Sequence, residues 1–228
     1  MKHVVVTGAN GALGVAVTGH FLDRGDRVSA VVSPRAGNDF LHHKNLQIHR
    51  ADLSNETDAS DTVKKMSETG PVDAAVLTVG GFGMGTLEET SLSDFEKMYR
   101  LNFVTAYNST RPLISMMKEQ PEGGQIIYVG ARPGLDPSAA PKMVGYSLSK
   151  SLVFRLAEVV NEEGEPHRVT ASVVVPSIID TPGNRNAMPG ADFSRWVTPE
   201  EIATHILHLV TPAGKKLRRT VLKVYGES

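Results

Sequence analysis

Tyr146 and Lys150 stand four residues apart in the segment GYSLSK. On a helix that spacing puts both on one face, one turn apart. An ammonium beside a phenol favours the phenolate, so the pair predicts a tyrosine pKa below its reference of about 10. Such a phenol gives or takes a proton near neutral pH. The Y-x-x-x-K spacing alone is common by chance and also fits an ordinary surface pair. It gains weight only from other chemistry in the same chain.

That chemistry stands at the other end of the sequence, in VVVTGANGALG, residues 4–14. Three β-branched residues read as a buried strand. Gly8 then allows a sharp turn. Gly11 or Ala12 leaves room for a pyrophosphate against backbone N–H groups, and Gly14 lets the next helix pack closely on the strand. Asn10 and Leu13 complete the turn. An anion held at a helix N-terminus needs no cationic side chain, because unpaired N–H groups and the helix dipole attract it. A tight strand–helix turn without a ligand is the competing reading. The second strand ends AVVSPR, with Val32 where an acid would hold a ribose 2′-hydroxyl. Ser33 and Arg35 follow, a hydroxyl and a guanidinium that suit a 2′-phosphate, so NADP(H) is favoured over NAD(H).

These residues need a scaffold. Apolar runs at 4–6, 28–32, 46–49, 74–79, 125–129, 169–175 and 221–224 read as strands. Amphipathic stretches at 12–24, 58–68, 94–117, 144–163 and 199–210 read as helices. The alternation predicts an α/β fold, a parallel sheet with helices on both faces, in one domain over 1–228. Ser93 and Glu96 form an expected capping box. Pro112 is expected to kink or split its helix. Thr198 before Pro199-Glu200-Glu201 is a well-formed helix start. Two long loops, 130–143 and 176–197, read as functional or disordered. The second carries Asn184, Phe193 and Trp196, which either cover a flat heterocycle or anchor the loop in the core. Phe82 and Met84 in GGFGMG line the opposite wall, unless that segment is only a flexible turn.

Bulk properties narrow the classes. The formal net charge is −1 over 228 residues, which gives no global field for nucleic acid or anionic lipid. The basic run Lys215, Lys216, Arg218, Arg219 reads as a solvated turn. Cysteine is absent, which removes disulfides, thiolate metal sites and thiol nucleophiles. His42, His43, His49, His205 and His208 lack ligand spacing, so no metal is expected. No apolar run approaches the roughly 20 residues that cross a bilayer, and no secretory leader is recognisable. The expectation is a cytoplasmic protein with a small-molecule substrate, no nucleic-acid partner and no membrane association.

Taken together, TGANGALG, the ADL with Asp52, Asn102 in RLNF, YSLSK and PSIIDTP resemble the short-chain dehydrogenase/reductase family over essentially the whole chain. The resemblance implies a Rossmann-type doubly wound parallel sheet of about seven strands in a three-layer α/β/α arrangement. It implies hydride transfer from a nicotinamide, with Tyr146 as proton donor and Lys150 steadying the phenolate. It puts Asp52 and Leu53 near the adenine, Val79, Gly80 and Gly81 along the cofactor, and Pro176, Ile178 and Thr181 near the nicotinamide. It has Asn102 bend its helix and hold a water linked to Lys150. It pairs the long helices starting near Ser93 and Val144 between subunits, giving a homodimer or homotetramer.

The departures are specific. The family's usual serine before the tyrosine is missing; Gly130 and Ala131 occupy its place, and Ala131 then borders the substrate. The usual turn after the fourth strand reads LTVGG. With GAR and the DTPGNRNAMPGADFSRW loop, these features are similar to dihydropteridine reductase and its bacterial relatives, a branch that relies on tyrosine and lysine. The expected function is therefore NAD(P)H-dependent reduction of a C=O or C=N, with a quinonoid pterin-like substrate as one option. A non-catalytic NAD(P)-binding sensor or scaffold is the alternative.

Overall fold

The structure is a computed structural model that describes residues 1–37 and 40–228. Seven strands form one sheet: β1 (His3–Thr7), β2 (Arg27–Val32), β3 (Leu46–Arg50), β4 (Ala74–Leu77), β5 (Gly124–Val129), β6 (Val169–Pro176) and β7 (Val221–Val224). All pairings are parallel, in the order β3-β2-β1-β4-β5-β6-β7. Helices flank it: α1 (Ala12–Asp23), α2 (Glu56–Ser67), α3 (Leu92–Tyr99), α4 (Thr105–Lys118), α5 (Arg132–Leu135), α6 (Val144–Gly164), α7 (Pro182–Ala187) and α8 (Pro199–Leu209).

The strand period of two divides the core into two layers. Val4 and Val6 of β1 join Val17, Phe21, Ile202 and Ile206 beneath α1 and α8. Val5, between them, faces Val63, Leu113, Val153 and Leu156 beneath α2, α4 and α6. The inner strands β1, β2, β4, β5 and β6 are buried on both faces because both are covered, while the edge strands β3 and β7 are partly exposed. This is the doubly wound arrangement the sequence predicts. Its order reverses at β1, which lies between β2 and β4, and a crevice opens at the strands' carboxyl ends there.

Four local expectations change. The cap of α3 is Ser91, whose side chain accepts from Asp94 N, not Ser93. α2 begins at Glu56, two residues early, because Asn55 accepts from Asp58 N. Pro112 sits inside a continuous α4 and does not split it. The interruption lies upstream, in a π-helical turn at Arg100–Val104. The inserted residue turns Asn102 inward, where Gly81 and Ser149 bond its side chain. Those bonds repay the lost helical register, and π turns of this kind collect at functional sites. The long loops are also ordered: 130–143 carries α5, and 176–197 carries α7 and an isolated bridge between Ile179 and Val197. The Thr198 capping box forms as expected. Among the described residues, no helix is long and apolar enough to cross a membrane.

Candidate active site

The glycine turn is built by backbone geometry. Gly8 adopts φ +64°, a left-handed conformation that side chains resist. A Cβ there would also meet Thr78 Oγ1 at 2.9 Å. Gly11 N donates to Gly8 O at 2.9 Å, closing the turn. A Cβ on Gly14 would overlap the Gly8 carbonyl, so only glycine lets α1 start this close to β1. Gly11 caps α1 with no side-chain hydrogen bond. The first N–H groups of α1 are therefore left to whatever lies in the crevice.

That crevice is a cleft of about 810 Å³. Gly8, Asn10, Gly11, Ala12, Leu13 and Gly14 form its floor. Ser33 and Arg35 close one end, with Asp52 and Leu53 beside them. Asn10 Oδ1 accepts from Ser33 N at 3.4 Å and ties the glycine turn to the end of β2. Asp52 Oδ1 accepts from Ser54 N at 2.9 Å and Ser54 Oγ at 2.7 Å, which hold its carboxyl below the usual carboxylate range. Val79 and Gly80 form the wall toward β4. A glycine cradle, an uncapped helix N-terminus and a flanking guanidinium suit a dinucleotide: the residues fit the cofactor that the sequence implies. Sequence reasoning missed Thr78, Lys97, Arg100, Leu101 and Thr105, which also line the cleft. The spacing of Lys97 and Arg100, one turn apart before Asn102, was the available signal.

Gly80 joins this cleft to the proposed chemistry. A Cβ on Gly80 would lie 2.8 Å from Asn102 Oδ1 and 3.1 Å from Lys150 Nζ. Tyr146 and Lys150 share a face in the first two turns of α6. The ring of Phe82 meets that of Tyr146 edge-on at 5.1 Å, and Phe82 is 58% exposed. Asn102, 1% exposed, accepts from Gly81 N at 2.9 Å and donates to Ser149 Oγ at 3.1 Å. Ser149 Oγ donates in turn to the Tyr146 carbonyl at 2.8 Å. Both polar ends of Asn102 thus tie the post-β4 turn to α6, and neither reaches for Lys150. Ser149 is a second residue that sequence reasoning missed.

The electrostatics correct one expectation. Lys150 Nζ is buried and donates to the Val129 carbonyl at 2.9 Å, not to the Tyr146 hydroxyl. Burial pushes the Tyr146 phenol up to about 12 and pulls the Lys150 ammonium down to about 8. Desolvation disfavours each charged form, and it is the sole cause of either shift, in place of the attraction that the four-residue spacing suggested.

Where the missing serine would fall, Gly130 is packed against Val173 and Phe154, with 2.8 Å and 2.9 Å left for a Cβ. Ala131 is buried and caps α5 with extended backbone and no side-chain hydrogen bond. Ser138 is exposed, its hydroxyl bonded to Asp136 at 2.7 Å. Pro176, Ile178, Thr181 and Gly81 lie outside the lining of the large cleft, on the β4 and β6 side. Thr181 caps α7 by accepting from Asn184 N at 3.2 Å. Asn184 Nδ2 donates to Ile179 O at 2.8 Å, and Arg185 pairs with Asp180 through two bonds of 2.5 and 2.6 Å. Trp196 is 7% exposed and packs at 4.8 Å on Phe193, which favours loop anchoring of the two expected roles.

Comparisons with known proteins bear on the family and the fold. The family model for short chain dehydrogenase matches residues 2–191. An uncharacterized oxidoreductase of Bacillus subtilis (strain 168) is 23% identical, covering 99% of this chain and 95% of the relative. A dihydropteridine reductase of Dictyostelium discoideum is 24% identical, covering 92% and 88%. Among solved structures, a short chain dehydrogenase/reductase family oxidoreductase from Burkholderia thailandensis superposes with a TM-score of 0.87 at 25% identity, covering 99% of this chain and 91% of that one.

Proposed function

This chain belongs to the short-chain dehydrogenase family, and on that premise we propose that it is an NAD(P)H-dependent reductase of a small C=O or C=N compound, with NADP(H) favoured over NAD(H). One observation carries the reading. The glycine-floored cleft runs up to Gly80, whose backbone abuts Asn102 and Lys150. A dinucleotide laid along that floor ends beside the Tyr146–Lys150 face of α6.

A bound nicotinamide supplies the hydride. The chain's own residues do the rest. Tyr146 gives its hydroxyl proton to the substrate atom that gains charge; a phenol raised to about 12 arrives protonated at neutral pH. Lys150, buried on the same face of α6 and lowered to about 8, steadies the phenolate left behind. Asn102 and Ser149 position the pair by fixing α6 against Gly81. Phe82 offers an exposed aromatic face beside Tyr146. Asn184 is a loop group on the substrate side. Ala131 supplies no donor where the family's serine would. A missing preorganised donor costs on the order of 10²–10³ in rate, so a substrate already easy to reduce, such as a quinonoid or iminium ring, suits the site.

Two further readings belong to this proposal. Ser33 and Arg35 end β2 without an acid and support the NADP(H) preference. The rings of Phe95, Tyr99, Phe103 and Tyr107 pack in sequence from α3 through the π-helical turn into α4, and Leu148 and Val159 stand exposed on α6. These apolar faces support a homodimer or homotetramer through the two long helices. A cytoplasmic setting is the compartment proposed for a chain without cysteine.

The test is a fluorescence titration with NADPH and NADH, followed by steady-state turnover on a quinonoid pterin and a panel of carbonyl compounds. Binding with turnover on at least one electron-poor compound is expected. Binding without turnover on any of them refutes the reductase reading.

A further inference from the structure

The large cleft carries more positive charge than a dinucleotide without an extra phosphate requires. Among the described residues its charged lining is Arg35, Lys97, Arg100 and Asp52, which leaves two positive charges unbalanced there. Among the described residues, none of the three cations forms an ion pair. Asp52 offsets one of the three charges and no more, and Ser54 N and Oγ both donate to its Oδ1. The pyrophosphate end of the floor is served by the backbone N–H groups of α1 and needs no side-chain cation.

The cations come from opposite walls. Arg35 follows β2, while Arg100 opens the π-helical turn at Arg100–Val104, with Lys97 one turn before it. The inserted residue that turns Asn102 inward also sets Arg100 and Leu101 on the cleft. Asp52 lies between the walls, and the charges of both Arg100 and Arg35 act on its carboxylate. Two guanidiniums, each planar and always charged, thus flank the adenosine end of the cleft.

We propose that Arg100 is a second specificity-determining residue for this cleft, closing with Arg35 on a phosphate at the adenosine 2′ position. The inference rests on the dinucleotide reading above and extends it to a residue on the far wall. Arg100 selects the phosphorylated coenzyme and is not part of the proton transfer.

Binding alone tests it, by calorimetric titration at fixed salt with NADPH, NADH, adenosine 2′,5′-bisphosphate and adenosine 5′-monophosphate. In Arg100→Ala the two 2′-phosphorylated ligands should bind about tenfold more weakly, the scale of one charge-assisted hydrogen bond. NADH and the monophosphate should change less than about twofold, which also reports that the variant is folded. Arg100→Lys should recover part of the loss, because it keeps the charge and loses the fork. The slope of log affinity against log salt should fall for NADPH in Arg100→Ala and stay for NADH. An equal loss for both pairs, or no loss for either, overturns the assignment and leaves the dinucleotide reading standing. So does an unmodified protein that binds NADH as tightly as NADPH. An unmodified protein that binds none of the four ligands removes the dinucleotide reading and this assignment together.

Discussion

Replacing Lys150 with methionine should make the protein more stable and inactive. Lys150 is 5% exposed, and its ammonium, normally near 10.5, is lowered to about 8 by burial. That lowering costs the folded state on the order of a few kcal/mol at pH 7. The folded pKa lies below the unfolded one, so that cost is complete below pH 8 and absent above 10.5. By pH 9.5 less than half of it remains. Methionine has similar volume and carries no charge to bury. It forfeits the Nζ bond to the Val129 carbonyl, worth about 1–2 kcal/mol once that acceptor is unpaired. The net gain is about 1–2 kcal/mol at neutral pH, or roughly 2–8 °C in melting temperature for a chain of this size. Urea unfolding of both proteins at pH 7 and pH 9.5 reads the difference. The gain should shrink or change sign at the higher pH. A Lys150→Met protein that is less stable at pH 7, or a difference that ignores pH, would refute the burial argument.

Other outcomes follow from the same geometry. Gly14→Ala should cost about 1–3 kcal/mol of stability, because its Cβ overlaps the Gly8 carbonyl; thermal melts and NADPH titration should both register the change, and unaltered values would show that α1 can shift. Ala131→Ser restores a hydroxyl at a position whose extended backbone accepts serine, and turnover of simple ketones should rise about tenfold, a fraction of what a preorganised donor supplies; no gain means the hydroxyl does not reach the reacting atom. His3 is buried, its Nε2 2.8 Å from Ser29 Oγ, and burial lowers its pKa below the usual 6.5. The unfolded chain therefore binds that proton first, so stability should hold above pH 6.5 and decline as pH falls below it; a His3→Gln protein should lose much of this slope.

Much of the scaffold was legible because it rests on short-range rules. Unbroken runs such as Val4, Val5 and Val6 are buried on both sides, and two-sided burial leaves no polar alternation to misread. Gly8 and Gly14 announce a turn that tolerates no Cβ. Thr198 with Glu201 reads as a cap because the bonds join residues three apart. The site was less legible wherever long-range packing decides. Lys150 and Tyr146 are four apart, but burial sets their protonation, and burial is not written in spacing. The π-helical turn at Asn102 depends on Gly81 and Ser149, 21 and 47 residues away. Pro112 looks like the natural break in its helix, and the helix breaks elsewhere for that reason. Trp196 could serve a substrate or anchor its loop, and the burial that bears on the choice is not encoded in the local pattern.

The most direct test of the account is a paired measurement on Tyr146→Phe, which removes one hydroxyl and keeps the ring that Phe82 meets. NADPH affinity should stay within about twofold of the unaltered protein while kcat falls by on the order of 10²–10⁴. Retained kcat would contradict the assignment of proton transfer to that phenol, and the chemistry drawn around α6 would fall with it.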